Sequence, residues 1–299
     1  MDYPEVDIVT VTHNSAPHLK SFFEALRQVE YPPDRLRVII VDNASSDETR
    51  NFLHDEARTF RLGVQIIELP TNEGFGAGCN HGSEAGAAPF ILFLNPDAQP
   101  RPAMIQQMVV RVAAESNIGL LDVKQDPVDL GKLVHPLTGD TDWCSGGAVL
   151  ARREAFNEIG GFDPFFFLYC EDVDLSWRMW LAGWRCVTET GARVHHETAK
   201  DGVAKPIMMY YSIRNSFAMR MIYDSASGVR SHLVRGLRYL VSPRTVGATR
   251  RAVFAGFWFS ARRLPHLIER RRAAQAELAV SPEREHFVFN EWFYGRFGA

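Results

Sequence analysis

The chain has little cysteine and no long apolar run. Its four cysteines, Cys79, Cys144, Cys170 and Cys186, lie far apart and form no C-x-x-C pair. Neither a structural zinc site nor a disulfide framework is expected, and a reducing cytoplasm is the simplest home. No apolar stretch approaches the roughly 20 residues that span a bilayer. The opening Met1-Asp2-Tyr3-Pro4-Glu5 is acidic and leads at once into a strand, which argues against a secretory leader. A G-x-x-x-x-G-K-[ST] phosphate loop is missing, as are internal repeats and low-complexity tracts. Gly74-Phe75-Gly76-Ala77-Gly78 is no dinucleotide fingerprint, because the third glycine of G-x-G-x-x-G falls on Cys79 and the segment follows the third strand instead of the first. Its glycines support only a loop that allows close backbone approach.

What remains is a globular composition of 299 residues, 46% hydrophobic and 23% charged, enough for a large α/β domain plus an appendage. The net charge of −3 hides an asymmetry. Residues 1–227 carry 20 basic and 31 acidic side chains, net −11, whereas residues 228–299 carry 13 arginines and 5 acidic side chains, net +8.

Val6–Val11 is a β-branched run ended by Thr12-His13-Asn14-Ser15, where Ser15 or Asn14 can cap a helix with apolar positions Leu19, Phe22, Phe23 and Leu26. Pro32-Pro33 ends that helix. Leu36–Val41 is a second strand, and the polar loop Asp42–Asp47 opens a helix over about 48–60. Val64–Leu69 is a third strand, a helix is expected near Asn80–Ala87, and Phe90–Leu94 is a fourth strand that stops at Asn95-Pro96-Asp97. Further helices are expected over about 103–115, 152–159, 172–181 and 206–222, and strands over 144–151 and 184–188. Residues 122–142 read as a long loop over the site. Alternating strands and helices imply a mostly parallel, doubly wound sheet, which binds ligands at the carboxyl ends of its strands. Thr12, Asp42 and Asp97 all fall there. Beyond Gly228 the pattern is helical and arginine-rich, interrupted by Pro243, Pro265 and Pro282.

Two acidic clusters sit in apolar surroundings: Asp97 after Phe90–Leu94, and Glu171-Asp172-Val173-Asp174 after Phe165–Cys170. An isolated buried carboxylate is heavily penalised unless it is paired, hydrogen-bonded or bound to a cation, so one metal site and one proton-transfer site are expected. A hard divalent cation such as Mg²⁺ or Mn²⁺ takes oxygen ligands and keeps positions open for phosphates. The competing reading makes Asp97 the cap of a helix beginning near Pro100. In the second cluster, mutual repulsion and burial raise at least one carboxyl pKa toward the range of a general base. An Asp174–Arg178 pair at i,i+4 on an acid-favouring helix N-terminus accounts for Asp174 and Glu171 but leaves Asp172 over. In His195-His196-Glu197, strand alternation lets at most one imidazole be a ligand and leaves open which.

Val9–Asn14, Val41–Asp47, Asn72–Asn80, Leu94–Asp97, Gly146-Gly147-Ala148, Gly160–Asp163 and Glu171–Leu175 together resemble the family 2 glycosyltransferases, rhamnosyltransferase-like members in particular. The resemblance covers about residues 6–220. It implies a GT-A fold over residues 1–222 with a basic helical region over 223–299, a nucleotide-diphosphate sugar donor such as dTDP-rhamnose or a UDP-sugar, Mg²⁺ or Mn²⁺, and inversion at the anomeric carbon. The acceptor it implies is a hydroxyl of a glycan or lipid-linked molecule in cell-surface polysaccharide assembly. By position, Thr12, Asn14 and Asp42 would contact base and ribose with Asn43, Asn72 and Asn80 nearby. Asn95-Pro96-Asp97 stands at the family's Asp-x-Asp motif, so Asp97 carries the metal role and Asn95 a supporting one. His196 before His195 completes the metal site, and Asp172 matches the catalytic base. The Gln-x-x-Arg-Trp motif of processive members is absent, which implies a single transfer.

Two rivals make different demands. A sugar-1-phosphate nucleotidyltransferase would place a Gly-rich, Lys/Arg-bearing loop after the first strand, where Thr12-His13-Asn14-Ser15 stands, and a carbohydrate-binding module would need no pairing of Asp97 with Asp172. The basic tail fits an anionic membrane surface near a lipid-linked acceptor, each basic residue there contributing about 1 kcal/mol. It also fits a helical appendage packed on the catalytic domain or on a second copy of the chain. Nucleic acid suits it poorly, because the rest of the chain is acidic.

Overall fold

The computed structural model describes residues 3–127, 130–196, 206–242 and 247–281. Glu197, Pro243 and Pro282, named above, lie outside them. The strands are β1 (Val6–Thr12), β2 (Leu36–Asp42), β3 (Gly63–Glu68), β4 (Phe90–Leu94), β5 (Ala98–Pro100), β6 (Ile118–Asp126), β7 (Ala148–Arg152) and β8 (Arg185–His196). They form one eight-stranded sheet in the order β3-β2-β1-β4-β7-β6-β8-β5. The first half, β3-β2-β1-β4, is parallel throughout. β7 lies antiparallel between β4 and β6, β6 and β8 run parallel, and β5 returns antiparallel on β8.

Strand alternation divides the core between the two faces of this sheet. Val6 and Ile8 of β1 join α1 (Ala16–Arg27), α2 (Thr49–Ala57) and, later in the chain, α4 (Met104–Ala114) on one side. Val9 and Val11 face α3 (Phe75–Glu84), α5 (Arg153–Glu158) and α6 (Glu171–Ala182) on the other. The apolar stripe Leu19, Phe22, Phe23 and Leu26 is fully buried under α1, as its i, i+3, i+4, i+7 spacing requires. α6 ends at Gly183, whose φ of 94° is the left-handed helix stop expected of glycine there.

Four sequence expectations need correction. α3 begins at Phe75, not near Asn80, so Gly76 and Gly78 lie within the helix instead of in a loop. Gly78 and Gly82 let α3 sit directly on β1, since a Cβ would come within 2.8 Å of Val11 and 2.3 Å of Val9. Gly74 precedes the helix at φ 92°, where a Cβ would meet the Phe167 carbonyl oxygen at 2.5 Å. Second, β6 occupies the start of the segment expected to be a loop. Its polar residues disguised it: Asp122 is wholly buried and accepts from Thr188 Oγ1 (2.7 Å) and Ser145 N (2.8 Å), and it pairs with Lys132. Third, the strand expected over 184–188 continues through both histidines as the single twelve-residue β8. Fourth, neither Ser15 nor Asn14 caps α1. Ser15 Oγ accepts from His13 N within the loop after β1, while Asn14 Oδ1 accepts from Ser46 N and Asp47 N and so ties that loop to the loop after β2.

The C-terminal helices are α7 (Pro206–Tyr223), α8 (Ala226–Val241), α9 (Gly247–Arg262) and α10 (Leu264–Val280). Pro265 sits in the first turn of α10, where its missing N–H costs nothing, instead of interrupting a helix. Leu267 and Ala274 of α10 enter the same core as Trp177 and Tyr223. Among the described residues, no helix is long and apolar enough to cross a membrane.

Candidate active site

At the carboxyl ends of β1 and β2, Thr12 Oγ1 donates to Asp42 Oδ1 at 3.2 Å. Asp42 is fully buried and also accepts from Ser45 N and Arg50 Nε. Burial alone would raise its pKa, but the bonds from Ser45 and Arg50 outweigh that and hold it below the ordinary carboxylate range. The neighbouring asparagines shape backbone. Asn43 donates to Gly74 O (2.9 Å) and accepts from Glu73 N (2.8 Å), Asn72 accepts from Gly74 N (2.9 Å), and Asn80 clamps both the N–H and the carbonyl of Phe162. Asn14, at φ 53°, remains exposed.

The turn Asn95-Pro96-Asp97 links β4 to β5 and is fixed by Ala98 N donating to Asn95 O and Asn95 N donating to Gly147 O, each 3.0 Å. Pairing of Ala98 with His196 across β5 and β8 sets Asp97 beside the histidine. Their Oδ1 and Nε2 atoms lie 3.2 Å apart. His195, one residue earlier, points to the other face of β8 by alternation. Asp97 caps nothing, since α4 starts only at Met104 and receives no side-chain cap.

The donor set at this point fits a cation. Gln125 Nε2 donates to Ser145 Oγ (2.8 Å), which leaves Oε1 to accept from His196 Nδ1 (2.9 Å). With Nδ1 turned to Gln125, the ring's Nε2 faces the Asp97 carboxylate and can offer its lone pair to a cation. An imidazole nitrogen and a carboxylate oxygen this close could share a cation, and the buried Asn95 Oδ1 nearby in the turn has no hydrogen-bond donor. Among the described residues no third His, Cys, Asp or Glu joins the pair. A nitrogen and a carboxylate oxygen, with open positions, suit Mn²⁺ or Mg²⁺ that completes its shell with phosphate oxygens.

The acidic cluster begins α6, and the chain reaches it through two consecutive left-handed non-glycine residues, Tyr169 (φ 67°) and Cys170 (φ 68°). Such conformations cost on the order of 1–3 kcal/mol each and persist only where neighbours enforce them. Asn215 of α7 is the enforcer, donating to the carbonyls of Leu168 (2.9 Å) and Tyr169 (2.6 Å). The turn gives the three carboxylates separate environments. Asp174 is fully buried, bonded by Arg178 (2.8 Å), Arg270 (2.9 Å) and the Tyr223 hydroxyl (2.7 Å). Burial would raise its pKa, yet Arg270 and Arg178 prevail and keep it ionised. Glu171 is buried with Oε2 unpartnered; burial first and the Asp172 charge second push its pKa well up. Asp172 is partly open to solvent, and burial raises its pKa although Gly146 N (3.1 Å) and Val173 N (2.9 Å) donate to it. Of the three, only Asp172 combines access with a raised pKa.

Gly146-Gly147 joins these parts. Gly146 N holds Asp172, Gly147 O holds Asn95, and a Cβ on Gly147 would lie 2.9 Å from the His196 ring. A Cβ on Gly146 would lie 3.4 Å from Phe75, whose own N–H bonds Phe167 O and which follows the Gly74 held by Asn43. A chain of contacts thus runs from Thr12 and Asp42 to Asp172. Sequence reasoning missed Gln125, because β6 was read as loop, and missed Asn215 and Arg270. For Asn215 the available signal was its place beside Arg214 in the middle of a helix rich in Met, Tyr, Phe and Ile.

Arg270 ties α10 to the start of α6, with Asp163 as a second partner. Breaking a buried pair from one side costs up to about 3–5 kcal/mol. Arg270→Met is therefore expected to lower the melting temperature by several degrees, and an unchanged melting curve would remove α10 as a support of α6.

Comparison with known proteins adds an independent view. The family model described as glycosyl transferase family 2 matches residues 7–175. The N-acetylglucosaminyl-diphospho-decaprenol L-rhamnosyltransferase of Mycobacterium tuberculosis is 28% identical over 239 residues, covering 64% of this chain and 76% of the relative. The rhamnosyltransferase WbbL of Escherichia coli is 50% identical over 44 residues, 15% of this chain and 17% of that protein. In structure, the mannosyltransferase PcManGT from Pyrobaculum calidifontis, solved in complex with GDP-Man and Mn²⁺, superposes with a TM-score of 0.60 at 16% identity, covering 95% of this chain and 76% of that chain.

Proposed function

Since the chain belongs to glycosyl transferase family 2, as a rhamnosyltransferase-like glycosyltransferase of GT-A fold, we propose that it transfers a single sugar, with inversion, from a nucleotide-diphosphate donor to a hydroxyl of a glycan or lipid-linked acceptor. One observation carries this reading: the Asp97–His196 pair and Asp172 converge on Gly146-Gly147, His196 against Gly147 and Asp172 accepting from Gly146 N. Residues 1–222 form the catalytic unit of this proposal, and α8, α9 and α10 pack beside it as a helical region.

In the proposed reaction Asp172 takes the acceptor's hydroxyl proton as that oxygen attacks the anomeric carbon. A new C–O bond forms, the bond from the anomeric carbon to the phosphate oxygen breaks, and the nucleoside diphosphate leaves with the bonding electrons. Asp97 and His196 would hold a divalent cation, which supplies charge neutralisation for the departing diphosphate. The Asn43–Gly74 and Asn72–Gly74 bonds shape the wall between the Thr12–Asp42 end, proposed for base and ribose, and the reacting centre. The similarity to proteins named as rhamnosyltransferases, one of them acting on a diphospho-decaprenol substrate, supports dTDP-rhamnose as donor and a lipid-linked acceptor in cell-surface polysaccharide assembly.

Thermal shift with Mn²⁺ against UDP-, GDP- and dTDP-sugars tests the proposal. A dTDP-sugar at about 100 times its Kd should stabilise the protein by about 2.7 kcal/mol. No shift with any nucleotide sugar would overturn it in favour of a carbohydrate-binding role.

A further inference from the structure

We infer that α8 and α9 form a docking surface for an anionic lipid bilayer. The inference rests on the proposal of a lipid-linked acceptor for its purpose, but not for its physical basis. The two helices together hold six arginines and no carboxylate, on a protein whose first 227 residues carry a net −11. This side of the molecule therefore carries a local excess of positive charge that a negative surface attracts.

The apolar side chains of these helices divide in two. Inward-facing ones bind the pair to α7: Phe257 packs edge-on against Phe217 and over Gly236, where a Cβ would come within 2.2 Å, and the His232 ring stacks on Phe217. Outward, Leu233, Leu237 and Val241 repeat every fourth residue along α8 with exposures of 38%, 56% and 80%. On α9, Phe254 and Trp258 follow the same spacing and are 61% and 57% exposed. Single exposed leucines need no explanation, but an exposed i, i+4 series on each of two contacting helices, one of them with Phe and Trp, does. Trp is the side chain best suited to the headgroup boundary, and arginines beside an apolar stripe characterise helices that lie in that plane. Arg262 lies over Trp258, its guanidinium 5.2 Å from the ring centroid, so cation and aromatic share one spot.

The surface is also connected to the chemistry. Arg214 of α7 is packed under Phe259 of α9 at 4.3 Å and donates to Phe165 O, and the adjacent Asn215 holds the turn that aims Asp172. A bilayer bound to α8 and α9 would thus lie at a fixed position relative to the proposed base, as a membrane-held acceptor requires.

Vesicle co-sedimentation of the full chain tests the inference without any acceptor present. Vesicles of phosphatidylcholine with about 30% phosphatidylglycerol should bind the wild type at least about tenfold more tightly than phosphatidylcholine alone, with binding lost as salt shortens the Debye length. Phe254→Ser/Trp258→Ser and Arg250→Gln/Arg251→Gln should each weaken binding about tenfold while their melting temperature and nucleotide-sugar thermal shift stay unchanged. Equal binding by wild type and both variants would overturn the inference. So would no vesicle binding together with a dimer by light scattering that Phe254→Ser/Trp258→Ser dissociates, which would assign the surface to a second copy of the chain. A missing nucleotide-sugar shift in the wild type would count against the proposed function and leave the vesicle result intact.

Discussion

Asp172→Asn is expected to lower kcat for sugar transfer at least about 100-fold while leaving nucleotide-sugar binding unchanged. General-base catalysis is typically worth about 10²–10⁴ in rate, and the amide keeps the size and the hydrogen-bonding oxygen of the carboxylate but cannot take a proton. The environment of Asp172 sets the accompanying pH dependence. Burial raises its pKa, with the Gly146 and Val173 N–H groups partly offsetting the rise. As a base it must be ionised, so kcat should fall as the pH drops through that raised value and level off above it. Neither neighbour can replace it. Asp174 is ionised but locked by Arg270, Arg178 and Tyr223, and Glu171 is buried and held toward its neutral form. Full activity in Asp172→Asn, measured as initial rate at saturating donor, would end the assignment.

Removing the cation is expected to have an effect of similar size by a different route. Chelation with EDTA should abolish transfer and added Mn²⁺ restore it. Asp97→Ala should lower kcat/KM at least about 100-fold, in line with the loss of a preorganised charge opposite a developing oxyanion. The Gln125 bond to His196 Nδ1 makes a finer expectation. Gln125→Leu leaves both proposed ligands in place but frees the ring to turn and to change tautomer, so Mn²⁺ affinity should fall about 10–100-fold, as for other partners that orient metal-bound histidines. Undiminished transfer in EDTA would refute the metal role of Asp97 and His196 together.

The parallel half of the sheet was legible because its strands are short β-branched runs closed by polar turns, and the local rules of alternation and capping suffice there. The other half was not. β6 carries Asp122, Lys124 and Asp126 and reads as loop, since a strand's buried carboxylate becomes explicable only once Lys132, Thr188 and Ser145 are seen around it. The glycines of α3 misled in the opposite direction: their helix-breaking propensity pointed to a loop, whereas close contact with Val9 and Val11 demands them in a helix. Asp97, His196 and Asp172 could be singled out because carboxylates and imidazoles amid apolar sequence are costly. Their surroundings are supported by Gln125, Gly146, Asn215 and Arg270 from segments 26 to 96 positions away in the chain, for which a single sequence holds no local signal.

The proposed division of labour between Asp172 at Gly146 and Asp97 with His196 at Gly147 is tested most directly by calorimetric titration of the nucleoside diphosphate with Mn²⁺ into wild type, Asp172→Asn and Asp97→Ala. Equal Mn²⁺-dependent affinity in wild type and Asp172→Asn, with that affinity lost in Asp97→Ala, is the expected result. Loss of binding in Asp172→Asn, or its full retention in Asp97→Ala, would contradict it.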